Sequence, residues 1–173
     1  MSENEVQDII DLEETHSVSD DETLIRLLCS PQYYDEEQGI VNPDAFDLRM
    51  LGKNKDKPEP FVSLGRKVFL ATKEQMDDYL SFGNRIKWPE HSPSNSFIGY
   101  GEFLCGDARE VHDMVRIYPL KKGHSYHIGL FYAKSDGTFY MGPLPKTDTE
   151  ILEVLADLAE LLEVHLCLGN KKI

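Results

Sequence analysis

The spacing of apolar residues changes three times along this chain and divides it into four stretches. In residues 1–18 a thin apolar set, Val6, Ile9, Ile10 and Leu12, is scattered among acids. Such a segment buries too little surface unaided to offset its ordering entropy, so a mobile acidic tail is expected, read first as a solubilising extension and second as a motif that folds onto a partner. From residue 19 the spacing turns helical. In SDDETLIRLLCSP, Ser19 and Glu22 stand three apart as a capping box requires, ahead of Leu24, Ile25, Leu27 and Leu28, and Pro31 stops the helix. Asn42 and Pro43 predict a short second helix. Residues 53–60 form a polar loop leading into a short strand at 61–65. Thr72 and Gln75 then cap a third helix that closes at Gly83, and 88–96 is loop by composition.

After residue 96 the period shortens. Residues 96–105, 114–120, 125–133 and 138–144 are rich in β-branched and aromatic side chains, and Asp136–Gly137 between the last two marks a hairpin turn. A helical period returns in TDTEILEVLADLAELLEVHLCLG. Thr147 and Glu150 supply its capping box, and Gly169 lies just past its end. At about 100° per residue, Ile151, Val154, Leu155, Leu158, Leu161, Leu162 and His165 share one arc, and Glu150, Glu153, Asp157, Glu160 and Glu163 the other. The pattern predicts an α+β chain: N-terminal helices followed by an antiparallel three- to four-stranded meander, with a C-terminal amphipathic helix packed on one face. Residues 19–173 are expected to form a single domain behind the tail at 1–18.

Charge changes this picture because of where it falls. Of the formal −13, residues 1–22 carry −9 and residues 147–173 carry −4, so the body between is neutral. A neutral body with acidic ends is a poor match for phosphate backbones, and no nucleic acid is expected as partner; a basic protein surface fits better. The start has no positive region followed by an apolar one, and no apolar run is long enough to span a bilayer, so a cytoplasmic protein with no membrane partner is expected. Cys29, Cys105 and Cys167 are dispersed, as reduced thiols would be.

Candidate chemistry centres on KGHSYHIGLFYA. If 124–132 is a strand, His124, Tyr126, Ile128, Leu130 and Tyr132 share the core face, and His127 lies opposite with Ser125 and Phe131. The two histidines could then share a metal only through a bulge at the strand's start or with His124 still in the loop after Gly123, and His127 alone is the candidate acid/base. Arg66, ending a strand, and Arg116, inside one, are the candidate anion ligands. His91, His112, Asp113 and Asp136 fall in a loop, a junction and a turn, so no metal is assigned, and no cofactor motif is present. GYG at 99–101 lacks phosphate-cradle spacing and reads as a bulge or close backbone approach. Two functions are consistent with these features. The first is a non-catalytic cytosolic interaction or accessory protein, inhibitor- or immunity-like, acting through acidic surfaces. The alternative is a small enzyme for a phosphorylated or nucleotide-like ligand held in a His/Arg pocket.

Overall fold

In the computed structural model, which describes residues 3–167, the run TLIRLLCS is a strand and not a helix. This strand, β1 (Thr23–Ser30), is covered on both sides: Leu24 and Leu28 enter one apolar cluster, Ile25 and Leu27 another. A strand buried on both faces reads as a continuous apolar run, which imitates a helical stripe. The capping-box letters serve a turn instead. Glu22 N–H donates to Ser19 O at 3.1 Å, and the Glu22 carboxylate accepts from Ser19 N–H at 2.8 Å.

Two small ribbons follow, β2 (Tyr34–Asp35) with β3 (Ile40–Val41) and β4 (Met50–Leu51) with β5 (Lys57–Pro58). The helix expected after Asn42 is a single 3-10 turn, Pro43–Phe46. Then come β6 (Val62–Arg66), helix α2 (Lys73–Ser81), β7 (Ser96–Leu104), helix α3 (Cys105–Val111), β8 (Val115–Pro119), β9 (His127–Tyr132), helix α4 (Thr149–Glu160) and β10 (Glu163–Leu166). The chain is therefore α+β with an antiparallel sheet, but the sheet has six strands, in the order β10-β7-β1-β6-β9-β8. The N-terminal helices of the expected order give way to a central strand. The expected strand 138–144 reduces to a bridge between Ala133 and Phe139. Its turn is present: Gly137 N–H donates to Lys134 O at 3.0 Å, with Gly137 at φ +88.

α2 carries the expected capping box, with Thr72 and Gln75 bonded reciprocally. α4 is capped by Asp148 rather than Thr147 and ends at Glu160, so the expected continuation of the helix to residue 168 is corrected. The chain turns back and β10 pairs along the edge of β7. Glycines make this possible: a Cβ on Gly101 would lie 2.8 Å from the Leu162 side chain, and one on Gly99 would lie 2.2 Å from His165 O. Opposite them β1 has a register shift between Leu28 and Cys29, so GYG marks both a bulge and a close approach.

α4 buries Ile151, Val154, Leu155 and Leu158 on one sheet face, over Ile128, Leu130 and Tyr132 as the alternation of β9 requires. α2 covers the opposite face through Tyr79, Met76 and Leu80. A further helix, α1 (Glu3–Ile9), begins the described chain. Its Val6, together with Ile10 beyond its end, is buried against Phe131 and Phe139, and Asp11 N–H donates to Pro119 O at 2.9 Å. The apolar set that looked too thin for burial is sufficient because β9 supplies the rest of that cluster. No helix among the described residues is long and apolar enough to cross a membrane.

Candidate anion-binding cleft

The sheet splits at its centre. β1 and β6 pair only at Leu24 with Arg66 and Ile25 with Gly65. Beyond that point β1 continues against β7, and β6 against β9. Arg26 marks the split. Its Nη1 donates across it to Ser63 O at 3.2 Å, occupying a carbonyl that a continued ladder would use, and its Nε donates to Ala45 O at 2.8 Å. The guanidinium also lies over the Tyr33 ring, 5.1 Å from its centroid. Arg26 is only 7% exposed and has no carboxylate partner among the described residues.

The resulting cleft has a volume of about 330 Å³. Arg26 and Leu27 come from β1, Ser63 and Leu64 from β6, and His124, Tyr126 and His127 from the approach to β9, while Tyr79, Phe82 and Trp88 supply further aromatic wall. Arg49 and Lys87 also line it, and among the described residues no Asp or Glu does. Tyr79 fits over the sheet because Gly65 has no side chain; a Cβ there would lie 2.7 Å from the tyrosine ring.

The two histidines meet here, which corrects the opposite-face reading. β9 begins only at His127, and His127 N–H donates to His124 O at 2.9 Å, so His124 sits in a turn and escapes the strand alternation. His124 stacks on Tyr126 at 4.8 Å, and Tyr126 meets Tyr79 edge-on at 5.1 Å. His127 Nε2 lies 3.3 Å from Ser63 Oγ. Burial, with the His124 charge second, holds the His127 pKa below its ordinary value of 6.5. At neutral pH it is therefore an uncharged partner for Ser63.

Arg49 stands at the mouth. Its Nη2 pairs with Glu59 at 3.1 Å, and its backbone N–H donates to the same carboxylate at 3.0 Å. Among the described residues its Nε has no hydrogen-bond partner, and neither has the hydroxyl of Tyr33, a residue 1% exposed.

The three residues singled out from sequence do not converge. Arg66 forks onto Glu22 at 2.8 and 2.7 Å and donates to His16 O and Ser17 O, a buried structural clamp. Arg116 is exposed on β8, its Nε donating to Asp113 O at 2.8 Å, and it borders a different recess beside His112 and Glu150. Only His127 lies in the cleft. Arg26 escaped detection because its strand was read as a helix, where it would have pointed outward; the available signal was one cation inside an otherwise apolar run. Among the described residues one trio, Asp11, Glu13 and His16, brings ligand-type atoms within 4.8 Å. It is explained locally, by Asp11 accepting from Glu13 N–H at 3.0 Å and bonding His16 at 2.7 Å. His91 is bonded to Pro93 O at 3.0 Å, and Asp136 to Thr138 in its own turn.

Comparison with family models, with curated proteins and with solved structures finds no match for this chain. The functional reading rests on the cleft itself.

Proposed function

We propose that this protein binds a small anionic ligand with a flat body, of the phosphorylated or nucleotide-like class, in the cleft between β1 and β6. One observation carries the reading: Arg26 is a buried cation without a carboxylate partner among the described residues, in a cleft that no acid lines. An unneutralised guanidinium in a low-dielectric site favours an anion strongly, and two hydrogen bonds to carbonyls fix its orientation beforehand. The stacked His124–Tyr126 pair, with Tyr79 and Phe82, suits a planar group, and the volume falls at the small end of the range typical for ligand sites. Ser63 and neutral His127 add a hydrogen-bonding pair at the wall, the place where acid/base chemistry would act if the bound ligand reacts.

Calorimetric titration with AMP and GMP, against adenosine and guanosine, tests it. Saturable binding of the phosphorylated forms at least tenfold tighter than the nucleosides is expected. Binding that is equal for charged and uncharged forms, or unchanged in a folded Arg26→Gln variant, contradicts it.

A second reading keeps the acidic surface as a partner-binding element. On α4, Glu153, Asp157 and Glu160 are exposed around Leu152, itself 42% exposed, and have no ion pair among the described residues. Such a face suits a basic protein surface. Loss of pulldown of a basic partner from the source cell by Glu153→Lys/Asp157→Lys supports it; unchanged capture rejects it.

A further inference from the structure

We infer that the ligand is longer than the cleft and carries a second anionic group, which lies beyond Trp88 in the adjoining basin. This deepens the reading of the cleft and rests on it. The basin, about 600 Å³ in volume, shares Arg49, Lys87 and Trp88 with the cleft, so the two cavities meet around one indole. Trp88 is fixed there: its Nε1 donates to Gly83 O at 2.9 Å, it stacks on Phe97, and Tyr33 meets it edge-on at 5.9 Å.

Two polar atoms at this junction, the Tyr33 hydroxyl and Arg49 Nε, have no hydrogen-bond partner among the described residues. Both are N–H or O–H donors, and buried donors in folded proteins are almost always satisfied. Tyr33 is almost wholly buried and borders the basin, and its hydroxyl, closed to solvent, is an unsatisfied donor among the described residues. One ligand oxygen accepting from Tyr33 Oη and Arg49 Nε would complete both.

The basin's own charges favour an anion once their partners are counted. Asp47 is engaged by Lys146 and by the backbone N–H groups of Leu48 and Leu144. Asp44 accepts from Gln32 at 3.2 Å, and Glu90 pairs with Lys55 at 3.2 Å. Against Asp44, whose hydrogen bond from the neutral Gln32 leaves its charge in place, stand Lys53 and Lys87, exposed and without an ion pair among the described residues. They are mobile point charges, suited to a terminal phosphate rather than to a neutral group. The class that fits is a flat body with two linked anionic groups, such as a nucleoside diphosphate. Its ring lies against Tyr126 and His124, its first phosphate at Arg26, and its second at Tyr33, Arg49 and the two lysines.

Calorimetry with AMP and ADP on the full chain tests this. In the wild type ADP is expected to bind about tenfold tighter than AMP, the yield of one added charge-assisted contact set. Tyr33→Phe, which keeps the ring, and Lys53→Ala, at a residue that lines the basin and not the cleft, should each weaken ADP severalfold and leave AMP unchanged. Equal affinity for AMP and ADP overturns the second subsite but leaves the cleft reading intact, as does a Tyr33→Phe variant that treats both as the wild type does. Failure of both nucleotides to bind overturns the cleft reading and this inference with it.

Discussion

Glu22→Gln is the substitution that most sharply separates the structural arginine from the one proposed to hold a ligand. Glu22 and Arg66 are nearly buried, their side chains 14% and 9% exposed, and joined by a two-bond fork. Removing one partner of a buried pair typically costs about 3–5 kcal/mol, because the remaining charge is left desolvated. Gln retains one acceptor oxygen, and Arg66 keeps His16 O and Ser17 O, so a cost near the lower limit, about 2–3 kcal/mol, is expected. For a chain of this size that lowers Tm by roughly 6 °C. Burial opposes ionisation of Glu22, but the Arg66 hydrogen bonds and charge together with the Ser19 N–H outweigh it and hold the pKa below 4.5. A carboxylate whose folded pKa is lowered contributes stability that is complete above 4.5 and is lost as pH falls through the folded value. Denaturant unfolding at pH 7 and at steps below pH 5 would measure both effects. The wild type should lose stability faster than Glu22→Gln as acid is added. A variant within about 0.5 kcal/mol of wild type at pH 7, the usual range for a surface change, refutes the clamp. So does an identical pH profile.

Three further outcomes follow from the same packing. Gly65→Ala places a methyl 2.7 Å from the Tyr79 ring and should destabilise by about 1–3 kcal/mol while disturbing the cleft wall; an unchanged melting curve would show that Tyr79 does not rest there. The His127 imidazole should titrate by NMR below 6.5, and His124→Ala, which removes the second cause, should move it upward. Since the folded pKa is depressed, the associated stability is complete above 6.5 and is lost as pH falls from 6.5 through the folded value; a midpoint at or above 6.5 contradicts the burial argument. Val6→Asp should cost about 2 kcal/mol or more in lost burial and release α1. Hydrogen exchange at the Lys121 amide, which donates to Ile9 O at 3.0 Å, should then accelerate, and unaltered protection would exclude the docking.

What the sequence made legible was local. The Thr72–Gln75 box caps α2, the Asp136–Gly137 turn forms, and the stripe of α4 faces the core, because each is determined by residues within a few positions of one another. What it concealed was non-local. β1 reads as a helix until α2 and α4 are known to cover its two faces, and β10 reads as helix until the edge of β7 is known to be open at Gly99 and Gly101. The site follows the same division. His127 is found by its strand position, and His124 joins it only because a turn delays the start of β9. Arg26 becomes visible as a site residue only when β1 and β6 separate, a property of two strands distant in sequence.

The most direct test of the central claim is chemical-shift mapping of the uniformly 15N-labelled protein with AMP, at neutral pH and moderate salt. Saturable shifts should cluster at Arg26 and Leu27 of β1, Ser63 and Leu64 of β6, and Tyr126 and His127 at the start of β9, the residues that line the cleft. The amides around Arg66 on the Glu22 side, and those around Arg116 on β8, should stay in place. Shifts centred on Arg116, or no saturable shift at any residue of the cleft, would contradict the assignment of the cleft as the ligand site.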